Sequence, residues 1–251
     1  MFPTPFRIVA IAALLLLSAC GGRGQAAKGS EDSAEAAAGY LAAPVATTYT
    51  GGALAGRGAP GARVRLASPT GEAVFAQVDG EGRWSLRPPA AAEPRIWGLS
   101  MTASGRQVQS EGYVLVAPAG AAAVLRAGGG SRRLDPQPHG IGVVDFDRGG
   151  GAVVSGTAPP DAVVVVRLDG RQVAEGRADE SGRFAIALPP TGGAAHRLQV
   201  FGDGLQDEAR VETAPAPPLV GGPLRSQLSS GGLRADWLTP GGGVQSTVLI
   251  D

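Results

Sequence analysis

Few residues in this chain have types and spacings suited to chemistry. Its two histidines, His139 and His196, stand far apart without metal-type spacing, whereas zinc needs clustered His, Cys or carboxylate ligands. The carboxylate pairs Asp79 with Glu81 and Asp179 with Glu180 fall in turns. Calcium takes such oxygens, but no D-x-[DN]-x-[DN]-G loop surrounds them. Asp followed by Gly is also what a hairpin turn wants. Gly149–Gly151 and Gly241–Gly243 lack the lysine and the strand-to-helix unit of a phosphate loop. No Gly-x-Ser-x-Gly elbow occurs, and no Ser/His/Asp or Cys/His set. The expectation is a non-enzyme with no catalytic residue, no metal and no cofactor. No basic patch with interleaved aromatics is present, so nucleic acid is not an expected partner.

One residue does announce chemistry, and it is Cys20, the only cysteine of the chain. Arg7 charges a short start, Ile8 to Leu17 are continuously apolar, and Leu17-Ser18-Ala19-Cys20 closes the run. That is the pattern of an export signal. The run is too short to span a bilayer, which takes about 20 apolar residues. The ending resembles the lipobox of bacterial lipoproteins, a Leu-(Ser/Ala)-(Ala/Gly)-Cys segment cut just before the cysteine. The resemblance implies cleavage between Ala19 and Cys20 and acyl chains on Cys20, which then hold the protein to a membrane. Buried acyl chains contribute about 0.8 kcal/mol per methylene. Gly21 follows the cysteine, where Asp is absent. For a lipoprotein of this type that favours the outer membrane over the inner, with the chain facing the periplasm or the surface.

The elements that follow read as β-structure. Of 251 residues, 40 are Gly and 20 are Pro, yet the apolar fraction is ordinary at 43%, so a core remains affordable. The apolar residues come in short runs between turn formers, which marks strands rather than helices. Formal net charge is zero, and Arg supplies nearly all the positive charge. Residues 1–19 are the signal, and 20–45 are small and polar, a flexible tether.

Beyond the tether the chain repeats itself at a register of 100 residues. Gly56, Pro60, Ala62, Val64, Asp79, Gly82, Trp84 and Leu86 match Gly156, Pro160, Ala162, Val164, Asp179, Gly182, Phe184 and Ile186. A repeat decides the architecture. Within one copy, Ala62, Val64 and Leu66 alternate with Arg63 and Arg65, giving one apolar and one wet face. Trp84 and Leu86 alternate in the same way with Arg83, Ser85 and Arg87. Roughly seven short strands per copy give an all-β chain of two β-sandwiches. The pattern G-x-x-x-P-G-A-x-V-x-V, then D-x-x-G-x-W-x-L, resembles bacterial Ig-like repeats of cell-envelope and surface proteins. It departs at Asp161 and Phe184, where Gly and Trp are usual. The resemblance implies two Ig-like modules, at 46–118 and 151–214, but names no activity.

Two strand-rich appendices lie outside the modules: a connector at 119–150 and a C-terminal tail at 215–251. Asp145-Phe146 with Gly149–Gly151 echoes Asp236-Trp237 with Gly241–Gly243. Candidate contact residues are Phe75, which the alternation turns outward, and Val163 and Val165, which replace Arg63 and Arg65. Trp237 is the fourth, because the tail, from Trp237 to Ile250, is expected to cover the two valines or to close a sheet edge. The role implied is structural, adaptor-like or protein-binding within the envelope. The alternative is an adhesin-like module for polysaccharide, peptidoglycan or a surface ligand. The partners implied are the membrane, through the acyl chains on Cys20, and an envelope protein or glycan.

Overall fold

A computed structural model describes residues 41–251. The signal, the Ala19–Cys20 cleavage site, Cys20 itself and most of the tether lie outside these residues. The first sandwich opens with β1 (Val45–Thr50) and β2 (Ala53–Arg57). Next come β3 (Arg63–Ala67), β4 (Ala73–Gln77), β5 (Arg83–Leu86), β6 (Arg95–Ala103) and β7 (Arg106–Val116). One sheet has the order β1-β2-β5; the other begins β4-β3-β6-β7 and continues into β8 (Ala122–Leu125) and β9 (Arg132–Arg133). The second sandwich repeats this with β10 (Gly140–Asp147), β11 (Ala152–Thr157) and β14 (Arg183–Leu188) in one sheet. Its other sheet is β13 (Arg171–Arg177), β12 (Val163–Leu168), β15 (Ala195–Gly202) and β16 (Leu205–Glu212), in that order. The tail supplies β17 (Leu224–Ser229), β18 (Gly232–Leu238) and β19 (Val244–Ile250).

Strand alternation does the sorting. Ala62, Val64 and Leu66 are buried, while Arg63 is exposed and Arg65 half-buried. Trp84 and Phe184 hold equivalent core places, each opposite a glycine on the neighbouring strand: Gly56 pairs with Trp84 and Gly156 with Phe184. The glycines are required by close approach. A Cβ on Gly56 would lie 2.4 Å from the indole and 2.0 Å from the Val45 carbonyl, and one on Gly156 would lie 1.9 Å from the Gly140 carbonyl. The aromatic ring therefore occupies the volume that a side chain on its partner would need. Burying each such side chain contributes about 1.5–3 kcal/mol.

One turn recurs at four of the hairpins and at the two links between sheets, β4–β5 and β13–β14. At Ser68, Asp79, Ala117, Asp147, Asp179 and Thr239, the residue three places on is a glycine with positive φ. At all six, that glycine's N–H is bonded back to the first carbonyl, and the first N–H bonds to the carbonyl four places on. At Asp179 the two bonds measure 2.8 and 2.7 Å. This is a type I turn closed by a left-handed residue, a position that favours glycine. In the two repeat copies the aspartate locks it. Asp79 Oδ1 accepts from the N–H groups of Glu81 and Arg83, and Asp179 Oδ1 from those of Ser181 and Arg183. Gly149–Gly151 and Gly241–Gly243 are two copies of the same hairpin turn.

The appendices depart from expectation in one informative way. The 119–150 segment is divided between the sandwiches rather than set between them. β8 and β9 extend the first sandwich's larger sheet at β7, whereas β10 is the opening strand of the second. β10 corresponds to β1, since Ile141 lies opposite Gly156 as Ala46 lies opposite Gly56, each beside a register shift. The tail also joins the second sandwich. β19 pairs along β10 and carries β18 and β17 outward, so that sheet reads β14-β11-β10-β19-β18-β17.

The tail does not cover Val163 and Val165, which corrects the sequence expectation. Those valines lie on β12 in the opposite, four-stranded sheet, with β13 and β15 on either side. They are half-buried because neighbouring strands lay long side chains beside them: Val165 sits between Glu175 and Phe201, and Val163 opposite Arg177. The tail was free to serve elsewhere because an open β10 edge exposes a whole ladder of backbone groups, which β19 satisfies.

Candidate functional site

The two sandwiches meet face to face through a third core. Ile96, Leu115, Ala123 and Leu125 of the first sandwich pack against Leu233, Ala235, Trp237 and Leu249 of the tail. On β6 to β8 the inward set (Trp97, Val114, Ala122) belongs to the first core and the alternate set to the third. Over these residues both faces of the sheet are thus buried. Tyr113 meets Trp237 edge to face at 5.9 Å between ring centroids. Residues 41–251 form one compact unit.

A polar hub stands beside this core. Asp145 is 3% exposed and accepts four hydrogen bonds. They come from Ser131 N–H (2.6 Å), Ser131 Oγ (2.8 Å), Thr247 Oγ1 (2.6 Å) and Gln245 Nε2 (3.1 Å). Burial pushes the Asp145 carboxyl up, against the pull of those donors. Thr247 Oγ1 in turn accepts from Trp237 Nε1, and Gln245 clamps the Arg126 carbonyl and the Gly128 N–H. The hub therefore ties the β8–β9 turn of the first sandwich to β10 and β19 of the second. A second buried carboxylate, Asp236, takes Arg225, Arg234 and Ser246. Burial works to raise it, but those hydrogen bonds prevail and hold it below the usual range.

Next to the hub lies a cleft of about 590 Å³ between the sandwiches. The turn of Gly130 to Asp135 forms one wall, Thr48 and Thr50 of β1 lie beside it, and the 179–185 hairpin forms the other wall. Ser155 lines it too; it is 5% exposed and its Oγ has no hydrogen-bond partner. Among the described residues Arg132 bonds only to carbonyls, those of Ala46 (2.6 Å) and Thr47 (3.3 Å). Arg133 is satisfied by Asp135 and by the Ile250 carbonyl. Arg132 is pushed down to about 10, first by burial and then by the repulsion of Arg183 and Arg126; it keeps its charge at neutral pH.

Of the sequence-derived contact residues, none lines this cleft. Phe75 is 47% exposed on an edge strand, with the Arg63 guanidinium 4.0 Å from its ring centre. Val163 and Val165 lie on the outer face of β12. Trp237 is fully buried in the third core. Cys20 and Ala19 lie outside the described residues. His139 is exposed, and His196 holds Asp169 at 2.8 Å and the Thr191 carbonyl at 2.6 Å. Among the described residues no group of three or more His, Cys, Asp or Glu is placed to hold a metal. Asp79 and Asp179 each spend one oxygen, Oδ1, on backbone N–H groups, and Asp79 gives the other to Arg83 Nε. The sequence reading missed Asp145, Arg132, Arg183 and Ser155. Asp145 carried one signal, its echo in Asp236; the others carried none.

The family model for the bacterial Ig domain matches residues 141–216, which run from β10 through β16 of the second sandwich. No curated protein matches. Among solved structures the chain is similar to the BSP domain of a biofilm associated protein, at 16% identity and TM-score 0.25, over 70% of this chain and 30% of that one. It is similar to the central fibronectin-III array of RIM-binding protein, at 14% identity and TM-score 0.26, over 84% and 89%. Invasin, a bacterial integrin-binding protein, is similar at 10% identity and TM-score 0.21, over 84% and 54%. The chain thus spans under a third of the first of these and about half of the last. The described residues are all-β and build two tandem Ig-like β-sandwiches, with the bacterial Ig match on the second.

Proposed function

We propose that this chain is a non-enzymatic, lipid-anchored protein of the cell envelope that presents a rigid pair of Ig-like modules to a partner protein. The observation that carries this is the third core. Tandem modules joined by a flexible linker sample many orientations, whereas here Trp237, Leu115, Leu125 and Leu249 fix one. A rigid pair on a tether suits an adaptor or spacer, since less ordering is left to be done on binding. The signal-like start and Cys20 support the anchor, and Gly21 supports the outer membrane. A second reading, binding of a polysaccharide or peptidoglycan, draws its support from the arginine-lined cleft. The test of the anchor is cell fractionation of Cys20→Ser. The parent is expected in the membrane fraction and the variant in the soluble one; a variant as membrane-bound as the parent would overturn the anchor. Photo-crosslinking from Phe75 in the anchored parent then tests the partner. A discrete protein adduct is expected, and its absence would count against the adaptor reading.

A further inference from the structure

The cleft between the modules has the features of a built site. Its volume falls in the range of small-molecule sites, roughly 300–1,000 Å³. Arg132 and Arg183 both line it. Arg126 lines it as well but is taken by Glu111 at 2.7 Å. Among the described residues Arg132 has only backbone carbonyls as partners, and its guanidinium meets no carboxylate of theirs within hydrogen-bonding reach. Arg183 is solvent-exposed and bonds Ser181 Oγ through its Nε at 2.8 Å. Asp179 acts on Arg183 electrostatically, yet one of its oxygens already accepts from the Ser181 and Arg183 N–H groups and from the Ser181 hydroxyl. Arginine's planar fork is matched to carboxylate. Positive charge is thus concentrated in a cleft of a protein whose net charge is zero.

The orphan hydroxyl is the independent observation. A buried polar atom without a partner is rare and calls for a reason. Ser155 Oγ has none, and it sits beside Gly130, where a Cβ would come within 2.2 Å of it. Thr48 and Thr50 present two more hydroxyls at the exposed rim. Hydroxyls both donate and accept, so the two threonine hydroxyls at the rim match a ligand whose own groups do the same.

We propose that the cleft between the modules binds a carboxylated saccharide, with Arg132 and Arg183 receiving the carboxylate and the threonine hydroxyls meeting the sugar. This supplies a ligand for the second reading above and does not depend on the anchor. An acidic peptide offers the carboxylate but few hydroxyls, and so makes the poorer match. The test is calorimetric titration of the full chain, in detergent, with trigalacturonate, with a neutral galactose trimer and with triglutamate. Trigalacturonate is expected to bind, more weakly as salt rises, and the other two are expected not to. Arg183→Gln is expected to weaken binding by about 10–100-fold, the loss of a charged hydrogen-bonding partner, with Arg183→Lys partly restoring it. Arg132→Gln should do the same; if burial makes that variant unstable, the exposed Arg183 carries the test. No binding of trigalacturonate, or unchanged binding by Arg183→Gln, would overturn the site. Triglutamate binding as tightly would overturn the saccharide. Each of these outcomes leaves the fractionation of Cys20→Ser untouched.

Discussion

At the residue scale, stability rests on a few aromatic rings and buried carboxylates. Trp84→Ala and Phe184→Ala each empty a place opposite a glycine that cannot fill it. Each is expected to cost about 3–5 kcal/mol, read from chemical denaturation. Equal and near-zero costs would refute the shared register. Asp145→Asn keeps one oxygen for three donors but sets an NH₂ against the Ser131 N–H. The expected loss is about 1–3 kcal/mol, measured in the same way. Acid should act through the turns. Asp79 is lowered chiefly by the Arg83 N–H, and Asp179 chiefly by the Ser181 hydroxyl. A lowered folded-state value means that the stabilisation is present above the ordinary 3.8 and is lost as pH falls through the folded value. Asp145, raised by burial, contributes with the opposite sign and softens that loss. Melting temperature is therefore expected to hold from neutral pH to about 4 and to drop below it. A drop already complete by pH 5 would assign the acid response to other groups.

At the element scale, the tail is part of the second sandwich, and truncation shows it. Ending the chain after Pro218 removes β17 to β19. It exposes the β10 ladder and half of the third core. Aggregation on expression is expected, checked by size-exclusion chromatography; a soluble, monomeric product would mean that β10 tolerates an open edge. The sandwiches were legible in sequence because their signals are local: period-two alternation, Pro-Gly turns, and Asp-x-x-Gly-Arg before an aromatic. The pairing of β19 with β10 was not legible. Residues such as Val144 and Val248 lie opposite each other but share no turn, and nothing in a β-strand's composition names its neighbour. The outward valines misled for the same reason. Alternation tells which face a residue takes, whereas the neighbours that cover it come from other strands. The cleft was hidden because Arg132, Ser155 and Arg183 sit on separate elements.

At the scale of the whole molecule, the third core makes two domains behave as one. Calorimetry of the parent is expected to show a single transition. Trp237→Ala removes the largest residue of the shared core and should split that transition into two; a single transition in the variant would mean that the polar hub alone couples the modules. The placement of β19 has a further consequence, in the time course of folding. The nine strands of the first sandwich, β1 to β9, are consecutive in the chain. The second cannot complete its larger sheet until residues 244–250 slide between β10 and β18. Asp145 and Thr247, which must then meet, are 102 residues apart. Closing a loop of that length costs roughly 4 kcal/mol of chain entropy, and such non-local pairings fold slowly. Residues 244–250 follow in sequence both strands that they join, so the larger sheet of the second sandwich closes only after all of its other strands have been made.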